Sequence, residues 1–446
     1  MILQTDDQTI DDLRLFSKRD TPGIFDIYNT THTRGAEELL REMFRSPLSN
    51  REEINRRSAI IGHFCKTGMK FPFESALFDM AEKYLTDSAD AGKGSTQSML
   101  SEKEILNGVT SLISLIQQTK QFLHSEDVRN LQAFAPEREA IGKLLDDPAL
   151  EPVLSEKSQG KISYAAVTAF DVLLRVRERS KIEKLLSQIY LLDVYISVAM
   201  VAAKRNFVFP VALDNKKGEL KIDGLYHPEL KNPIPNDIVM DQSRTLVFLT
   251  GANMAGKSTF LRSLATAVYI AHMGFPVAAK RMEFSVMDGI YTTINLPDNL
   301  GIGASHFYAE VLRVKKVASE LQANKSLFII FDEMFRGTNV KDAHEATVEI
   351  TIAFAAKKNS MFIISSHIVE AGERLQQVLS IGFQYLPTRM NGNIPEYTYT
   401  LENGITADRH GMIIIRNEGI LETLQHGRKR AAQQTNRVPQ SLASGE

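Results

Sequence analysis

Apolar residues in the first half of the chain recur with the period of an α-helix. In residues 34–45 they stand at i, i+3, i+4, i+7 and i+8, which is one face of a helix. The same spacing covers residues 52–63, 104–124 and 181–205. Almost no stretch between residues 30 and 206 alternates like a strand. The pattern predicts an all-α domain over residues 31–206, preceded by an amino-terminal extension of residues 1–30.

The pattern changes near residue 206. Residues 207–213 and 219–224 alternate between apolar and polar positions on either side of a turn at residues 215–218, which is typical of a β-hairpin. Buried strands and amphipathic helices then alternate along the chain. This order predicts an α/β domain over residues 207–446, ending in a short basic tail that contains Arg428, Lys429, Arg430 and Arg437.

A strand, a glycine-bounded loop and a helix follow one another in this second domain. The apolar run 246–250 precedes the loop, and helical spacing follows it. The loop and the first helical residues are Gly251, Ala252, Asn253, Met254, Ala255, Gly256, Lys257, Ser258 and Thr259. The glycines allow successive N–H groups to face one anion, and the helix dipole adds to their effect. This spacing predicts a phosphate-binding loop.

The predicted ligand of the loop is the phosphate chain of a nucleotide, together with Mg²⁺. Lys257 has the position to contact the β- and γ-phosphates, and the hydroxyl of Ser258 has the position to ligate the metal. The alternative is a glycine-containing turn that fits the spacing by chance. The strand and helix around the loop, and a second motif downstream, favour the phosphate-binding interpretation.

The second motif is an apolar strand that ends in two carboxylates, Asp332 and Glu333. Residues 327–331 are expected to form a strand beside the first one in a parallel sheet. Ligands bind at the carboxyl ends of such strands. Asp332 is therefore predicted to hold Mg²⁺ through water, and Glu333 to orient and deprotonate the attacking water. The alternative, a solvated acidic turn, is disfavoured by the phosphate loop upstream.

Two more polar residues are candidates for the same site. Ser305 follows a pair of glycines and opens an amphipathic helix over residues 308–321, so its N–H group and hydroxyl suit either an anion or an ordinary helix cap. His367 follows the buried strand 361–365 at the same edge of the sheet. It is predicted to contact the γ-phosphate or the attacking water, although a lone histidine is more often structural.

The composition restricts the classes of protein to which the chain can belong. A chain of 446 residues, 43% of them hydrophobic, is too long for a single core. The net charge of −2 does not indicate a nucleic-acid binder, but a local basic patch is sufficient for one. Cys65 is the lone cysteine, which excludes an intramolecular disulfide. With no leader pattern and no stretch approaching ~20 apolar residues, we expect a cytoplasmic protein without a membrane segment.

Three motifs together resemble the ATPase domain of the MutS family of DNA mismatch-repair and recombination proteins. They are the phosphate loop at residues 251–259, the segment 298–310 (DNLGIGASHFYAE) and the segment 332–339 (DEMFRGTN). The Asn-Met pair inside the loop and the Arg-Gly-Thr after the carboxylates distinguish this family from transporter and cohesin-like ABC ATPases. The resemblance covers roughly residues 30–425 and is weaker before residue 190.

The resemblance implies a fold, a reaction and partners. The fold is a helical core or lever domain followed by an ABC-type P-loop ATPase domain. The reaction is hydrolysis of ATP with Mg²⁺, in which His367 matches the family's switch histidine. Ser305 matches the signature serine that reaches the γ-phosphate bound by the other subunit. It therefore also implies a homodimer through the ATPase domains, whose nucleotide state moves helical levers on DNA.

This chain differs from the family pattern in several places, and these differences affect the function that we expect. About 30 residues precede the helical core, so we expect no mismatch-reading or connector domain. Between residue 34 and the phosphate loop the chain is also shorter than the family pattern by roughly a domain, so we expect a reduced or missing DNA clamp. Phe335 stands where the family usually has glycine, and Pro233 and Ile234 lack the aromatic ring that often stacks on adenine. Two alternatives stay open: an ATPase switch acting on a protein or ribosomal RNA, and an accessory subunit of a larger MutS-like protein.

Overall fold

A computed structural model of the chain places a helical region before a mixed region of helices and sheets. It describes residues 1–18, 21–86, 100–157, 162–214, 218–294, 306–335, 337–367, 369–391, 394–406, 419–420 and 423–424. The glycine- and serine-rich stretch at residues 91–97, which the sequence suggests is a loop between helices, lies outside these ranges. The basic residues of the tail also lie outside them.

The helical region confirms the apolar spacing read from the sequence. Its helices are α1 (Asp7–Asp12), α2 (Ile24–Tyr28), α3 (Arg34–Arg45), α4 (Arg51–Thr67), α5 (Ser75–Thr86), α6 (Glu102–Leu123), α7 (Glu126–Arg129), α8 (Ala135–Leu145), α9 (Glu151–Ser155), α10 (Tyr164–Asp171) and α11 (Arg179–Arg205). Side chains cap several of them: Thr33 accepts from the N–H of Ala36 at the start of α3, and Asn50 accepts from Glu53 at the start of α4.

Helix α11 contradicts the expectation that no stretch of the chain approaches ~20 apolar residues. By length and composition this helix is able to cross a membrane, since its most apolar window has a mean hydropathy of 1.7. However, 72% of that window is buried inside the protein. Such burial is typical of the central helix of a packed core, and α11 indeed packs against α3 and α4.

The second region contains two main sheets and a small hairpin. Its strands are β1 (Val211–Leu213), β2 (Leu220–Leu225), β3 (Asn236–Met240), β4 (Leu246–Gly251), β5 (Arg281–Ser285), β6 (Gly289–Thr293), β7 (Leu327–Asp332), β8 (Met361–Ser365), β9 (Ile381–Leu386), β10 (Thr388–Asn391), β11 (Ile394–Tyr397) and β12 (Glu402–Asn403). The helices between them are α12 (Lys257–His272), α13 (His306–Gln322), α14 (Val340–Ala355) and α15 (Val369–Leu375).

The predicted hairpin of residues 207–224 is wrong. Strands β1 and β2 belong to one four-stranded sheet, but its order is β1-β5-β2-β3. Strand β5, which comes later in the chain, lies between them, parallel to β1 and antiparallel to β2. Local alternation and turn residues identified both segments as extended, yet they carry no information about a strand that inserts from about 60 residues downstream.

The six-stranded sheet has the order β12-β9-β4-β8-β7-β6, and its strands from β9 to β6 are all parallel. The expectation that the acidic strand lies directly beside the strand of the phosphate loop is therefore wrong. Strand β8 lies between β4 and β7. Parallel neighbours require a crossover connection, so chain order alone does not determine which strands are adjacent.

Alternate residues of β4 face two different hydrophobic cores. Val247 and Leu249 join the core that α12 and the helical region share, whereas Leu246 and Phe248 pack with α14 and α15 on the opposite face of the sheet. Helix α12 is therefore covered by the sheet on one side and by the helical region on the other. The first core runs without interruption from the helical region into the sheets.

Hydrogen bonds also join the carboxyl end of α12 to the helical region. Tyr269 donates its hydroxyl proton to the carbonyl of Phe44 at 2.6 Å, and Arg57 donates to the carbonyl of Met273 at 2.8 Å. Gly274 has a φ of 70°, and a Cβ there would lie 2.8 Å from the carbonyl oxygen of Ile54. Glycine therefore permits this close approach.

His272, near the end of α12, makes the stability of the fold depend on pH. Its Nδ1–H donates to the carbonyl of Val268 at 2.8 Å, and its Nε2 accepts from the N–H of Met287 at 3.0 Å, so the neutral ring is fully bonded. Burial lowers the pKa of His272 to about 4, from 6.5. Between these values the unfolded chain binds a proton that the folded chain does not. We therefore expect stability to fall as the pH decreases from 6.5 to 4, by at most about 1.4 kcal/mol per pH unit from this residue.

Urea unfolding of the wild-type chain and of His272→Gln at pH 7.5, 6 and 5 measures this slope. The variant is expected to be less stable at pH 7.5 but to lose less stability on acidification. His124→Gln, at an exposed position, is the control and should retain the wild-type slope. Equal slopes in all three proteins would exclude His272 as the titrating group.

Candidate functional site

The loop between β4 and α12 has the backbone that a phosphate-binding loop needs. Gly251 and Gly256 have φ values of 152° and 100°, which favour glycine. Met254, at the tip, has a φ of 70° and is 75% exposed. The strand, loop and helix thus follow in the predicted order, and the first turn of α12 points its N–H groups towards the loop.

Lys257, the first residue of α12, is buried beneath the loop. Its side chain is 5% exposed, and its ammonium donates to the carbonyls of Gly251 at 2.8 Å and Ala252 at 3.2 Å. Its Nζ also lies 3.6 Å from Oε1 of Glu333. The loop and the acidic strand are therefore joined by this one cation.

Ser258 and Asp332, the two predicted metal-binding residues, are in direct contact. The hydroxyl of Ser258 donates to Oδ2 of Asp332 at 2.5 Å. The hydroxyl of Ser365, at the end of β8, donates to the other carboxylate oxygen. Ser365 was not a candidate in the sequence, because its partner is specified only by the pairing of β8 with β7. A serine hydroxyl beside a carboxylate is a donor set that suits Mg²⁺.

Glu333 follows Asp332 at the edge of the sheet, in a conformation that is uncommon for a residue with a side chain. Its φ is 55°, and its N–H donates to the carbonyl of Ser365 at 3.1 Å. His367 places its Nδ1 3.6 Å from Oε2 of Glu333, with 55% of its side chain exposed. Lys257, Glu333 and His367 therefore lie at one edge of the sheet, where β4, β7 and β8 end.

A cavity of about 400 Å³ opens beside the loop. Among its lining residues are Gly256 and Thr259, together with Pro233 and Ile234, where the sequence lacks an aromatic ring. Tyr399 supplies an aromatic ring from a distant part of the chain. This ring packs so closely against Gly256 that a Cβ built on the glycine would lie 3.0 Å from Cδ1 of Tyr399. Sequence reasoning missed Tyr399, since it is about 140 residues away along the chain. The only local signal was its aromatic side chain in a polar segment.

His227 also lines this cavity and is 4% exposed. Its Nδ1 accepts from the N–H of Glu229 at 3.4 Å. Burial, together with the positive charges of Arg262 and Arg14, lowers the pKa of His227 to about 4. The ring is consequently neutral at physiological pH, and the wall of the cavity carries no charge from it.

The remaining candidates fall into two groups. Ser305 and the Arg336 of the Arg-Gly-Thr segment lie outside the described residues. Phe335 is described, with a φ of 65°, and its ring packs against Phe307 at a centroid distance of 5.9 Å. This left-handed conformation explains why a glycine would also suit that position.

The arrangement has the parts needed for phosphoryl chemistry. One buried ammonium forms an ion pair with one carboxylate, and a hydroxyl–carboxylate pair lies beside them. Such a set can bind phosphate oxygens, hold a divalent cation and accept a proton from water.

Comparison with known protein families matches both regions of the chain. The family model described as MutS domain III matches residues 8–199, and the model described as MutS domain V matches residues 247–435. The two matches lie in the order of the helical region and the sheet region. The domain III match begins within α1, so it includes most of the residues set apart in the sequence as an extension.

Individual relatives cover less of the chain. The DNA mismatch repair protein MutS of Petrotoga mobilis is 30% identical over 291 residues, which is 63% of this chain and 35% of the relative. That of Staphylococcus haemolyticus is 25% identical over 362 residues, 77% of this chain and 40% of the relative. That of a Geobacillus species is 34% identical over 184 residues, 39% of this chain and 21% of the relative. The chain thus spans well under half of the length of these curated relatives.

Proposed function

The chain belongs to the MutS family, and from that premise we propose that it is an ABC-type P-loop ATPase that acts on DNA. The observation that carries the proposal is the joining of the loop to the acidic strand. Ser258 contacts Asp332 at 2.5 Å, and Lys257 lies 3.6 Å from Glu333. These four residues come from two motifs that are about 75 residues apart, and they have the types that ATP hydrolysis requires.

Each residue has a role that its position supports. Lys257 binds the β- and γ-phosphates, exchanging its contacts with the loop carbonyls for phosphate oxygens. Ser258 and Asp332 hold Mg²⁺, which when bound supplies positive charge to the phosphate oxygens. Glu333 accepts a proton from the attacking water, and His367 orients it from the exposed side.

Tyr399 and the 400 Å³ cavity support adenine as the base. The cavity adjoins Gly256 and Thr259, so a nucleotide whose phosphates occupy the loop would direct its base there. Tyr399 lies against Gly256 and offers an aromatic face in place of the ring that Pro233 and Ile234 lack.

The proposal extends to a dimer and to DNA. Ser305 is proposed to complete the ATP site of a second subunit, so that two ATPase domains enclose the nucleotides between them. Helices of the first region are proposed to hold DNA. A groove of about 740 Å³ between α3, α5 and α11 has charges of both signs, among them Arg34, Glu38, Lys83 and Glu183. This mixture favours neither a DNA-binding nor a protein-binding face, so the substrate has to be measured.

The rate of ATP hydrolysis by the 446-residue chain, compared across nucleic acids, tests this proposal. Homoduplex DNA, a mismatched duplex, a four-way junction and ribosomal RNA are the ligands. Light scattering with ATP measures dimerisation. We expect magnesium-dependent hydrolysis that at least one DNA stimulates, together with an ATP-dependent increase in mass.

Other outcomes lead to different conclusions. A rate that no DNA changes would contradict the DNA part of the proposal and would favour a protein or ribosomal partner. Activity that requires addition of a larger MutS-like protein would favour an accessory subunit. Stimulation by the mismatched duplex alone would contradict the expectation that the chain does not read a mispair.

A further inference from the structure

The outer edge of β6, the last strand of the six-stranded sheet, is covered by residues 2–15, here called the amino-terminal segment. Every second amide from Ile290 to Ile294 donates to this segment, once to a backbone carbonyl and twice to a side-chain oxygen. The bonds run from the N–H of Ile290 to the carbonyl of Gln4 at 2.9 Å, from Thr292 to Oγ1 of Thr9 at 3.0 Å, and from Ile294 to Oδ2 of Asp12 at 2.8 Å. The segment thus closes an edge that would otherwise be unpaired.

Asp12 has the largest share of these contacts. It is 2% exposed, and its Oδ2 accepts from the hydroxyl of Thr292 as well as from the N–H of Ile294, each at 2.8 Å. Its Oδ1 accepts from the side-chain amide of Gln8 at 2.9 Å. Its backbone carbonyl accepts from Nε of Arg262, on α12, at 2.8 Å. One residue therefore joins the end of β6 to the helix that begins with Lys257.

Both elements held by Asp12 lead directly to the proposed ATP site. In β6, Thr293 pairs with Phe331, the residue before Asp332. On α12, Arg262 lies five residues after Lys257 and interacts electrostatically with Asp332. A shift of Asp12 would consequently move the acidic strand and the loop helix relative to each other.

The rest of the amino-terminal segment anchors Asp12 from two directions. Asp6 accepts from Arg313 and, at 2.6 Å, from Lys316, both on α13. Burial alone would raise the pKa of Asp6, but these two cations outweigh it and hold the pKa well below its usual range. At the other end, the N–H of Phe25 donates to the carbonyl of Leu15 at 2.8 Å. The segment is therefore fixed to both the sheet region and the helical region.

We propose that Asp12 is a positioning residue for ATP hydrolysis, whose hydrogen bonds to β6 and α12 hold Asp332 and Lys257 in their working geometry. This inference rests on the proposed ATPase function. Asp12 acts through the two elements to which it is hydrogen-bonded, β6 and α12. Misplacement of reacting groups by about 1 Å can cost on the order of 100-fold in rate, so a small shift has a measurable effect.

Four variants of the full chain test the proposal. Asp12→Ala removes the carboxylate, Asp12→Asn keeps one acceptor oxygen for Thr292 and Ile294, and Thr9→Val removes the acceptor for the N–H of Thr292. Asp11→Ala is the matched control, because Asp11 lies on the same helix with its carboxylate 2.7 Å from Lys18 at the surface. For each variant, kcat and KM for ATP, the affinity for a fluorescent ADP and the melting temperature are measured.

We expect Asp12→Ala to lower kcat at least tenfold while KM and the ADP affinity stay within about twofold of wild type. Thr9→Val should lower kcat in the same direction but less, Asp12→Asn should retain at least a third of kcat, and Asp11→Ala should match wild type. An unchanged kcat in Asp12→Ala overturns the inference while leaving the proposed function intact. A parallel loss of kcat, ADP affinity and melting temperature would also overturn it, since that result indicates only a damaged fold. Absence of hydrolysis in the wild-type chain would overturn both the proposed function and this inference.

Discussion

Replacement of Glu333 by Gln is expected to reduce ATP hydrolysis by about 10²- to 10⁴-fold, the usual contribution of a general base. The substitution keeps the size of the side chain and removes its ability to accept a proton from water. It also weakens the contact with Lys257, whose Nζ lies 3.6 Å away, but Lys257 keeps its bonds to the loop carbonyls. ATP binding should therefore persist, so the loss should appear in kcat and not in KM.

Single-turnover hydrolysis and equilibrium binding of ATP, measured on the same preparation, separate these two effects. Glu349→Gln on α14 is the matched control, because it removes an exposed carboxylate from the helix that follows the acidic strand. It should hydrolyse ATP at the wild-type rate. A Glu333→Gln protein that retains more than a tenth of the wild-type rate would mean that another group accepts the proton, with His367 the next to replace.

The order of strand, loop and helix around Lys257 could be predicted because each part has a local cause. Apolar residues 246–250 favour a buried strand, Gly251 and Gly256 permit left-handed backbone, and the following residues have helical spacing. The same holds for β7, whose apolar run ends at Asp332. Both motifs are short, so the information needed to recognise them lies within a few residues.

The sequence could not predict in the same way which distant segments lie side by side in the fold. Ser365 bonds Asp332 only because β8 inserts between β4 and β7, and nothing in the sequence near either residue specifies that insertion. Asp12 has the ordinary appearance of a surface acid on a short helix, yet it is buried against the end of β6. Tyr399 reaches Gly256 through the path of the chain after β11. These contacts depend on long-range packing, which determines position but leaves no periodic pattern.

Lys257 is the second position at which a single substitution should have a large effect. Lys257→Ala is expected to weaken ATP binding about 100-fold or more, because charge-assisted hydrogen bonds to phosphate are worth about 1.5–3 kcal/mol each and this ammonium is placed to form two. The loss of affinity should be smaller for adenosine, which has no phosphate for the ammonium to bind. Binding of both ligands by isothermal titration measures the difference.

The fold should tolerate this change, which makes the binding result interpretable. Lys257 is 5% exposed, but its ammonium is bonded only to loop carbonyls and lies near Glu333 in the described contacts, so truncation removes no hydrophobic packing of the core beyond its own methylenes. Lys358→Ala, at an exposed position after α14, is the control and should bind ATP like the wild type. If Lys257→Ala kept wild-type affinity for ATP but had a lower melting temperature, the buried ammonium would serve only to hold the loop against the acidic strand. The phosphate would then have to be bound by the loop N–H groups and the helix terminus alone.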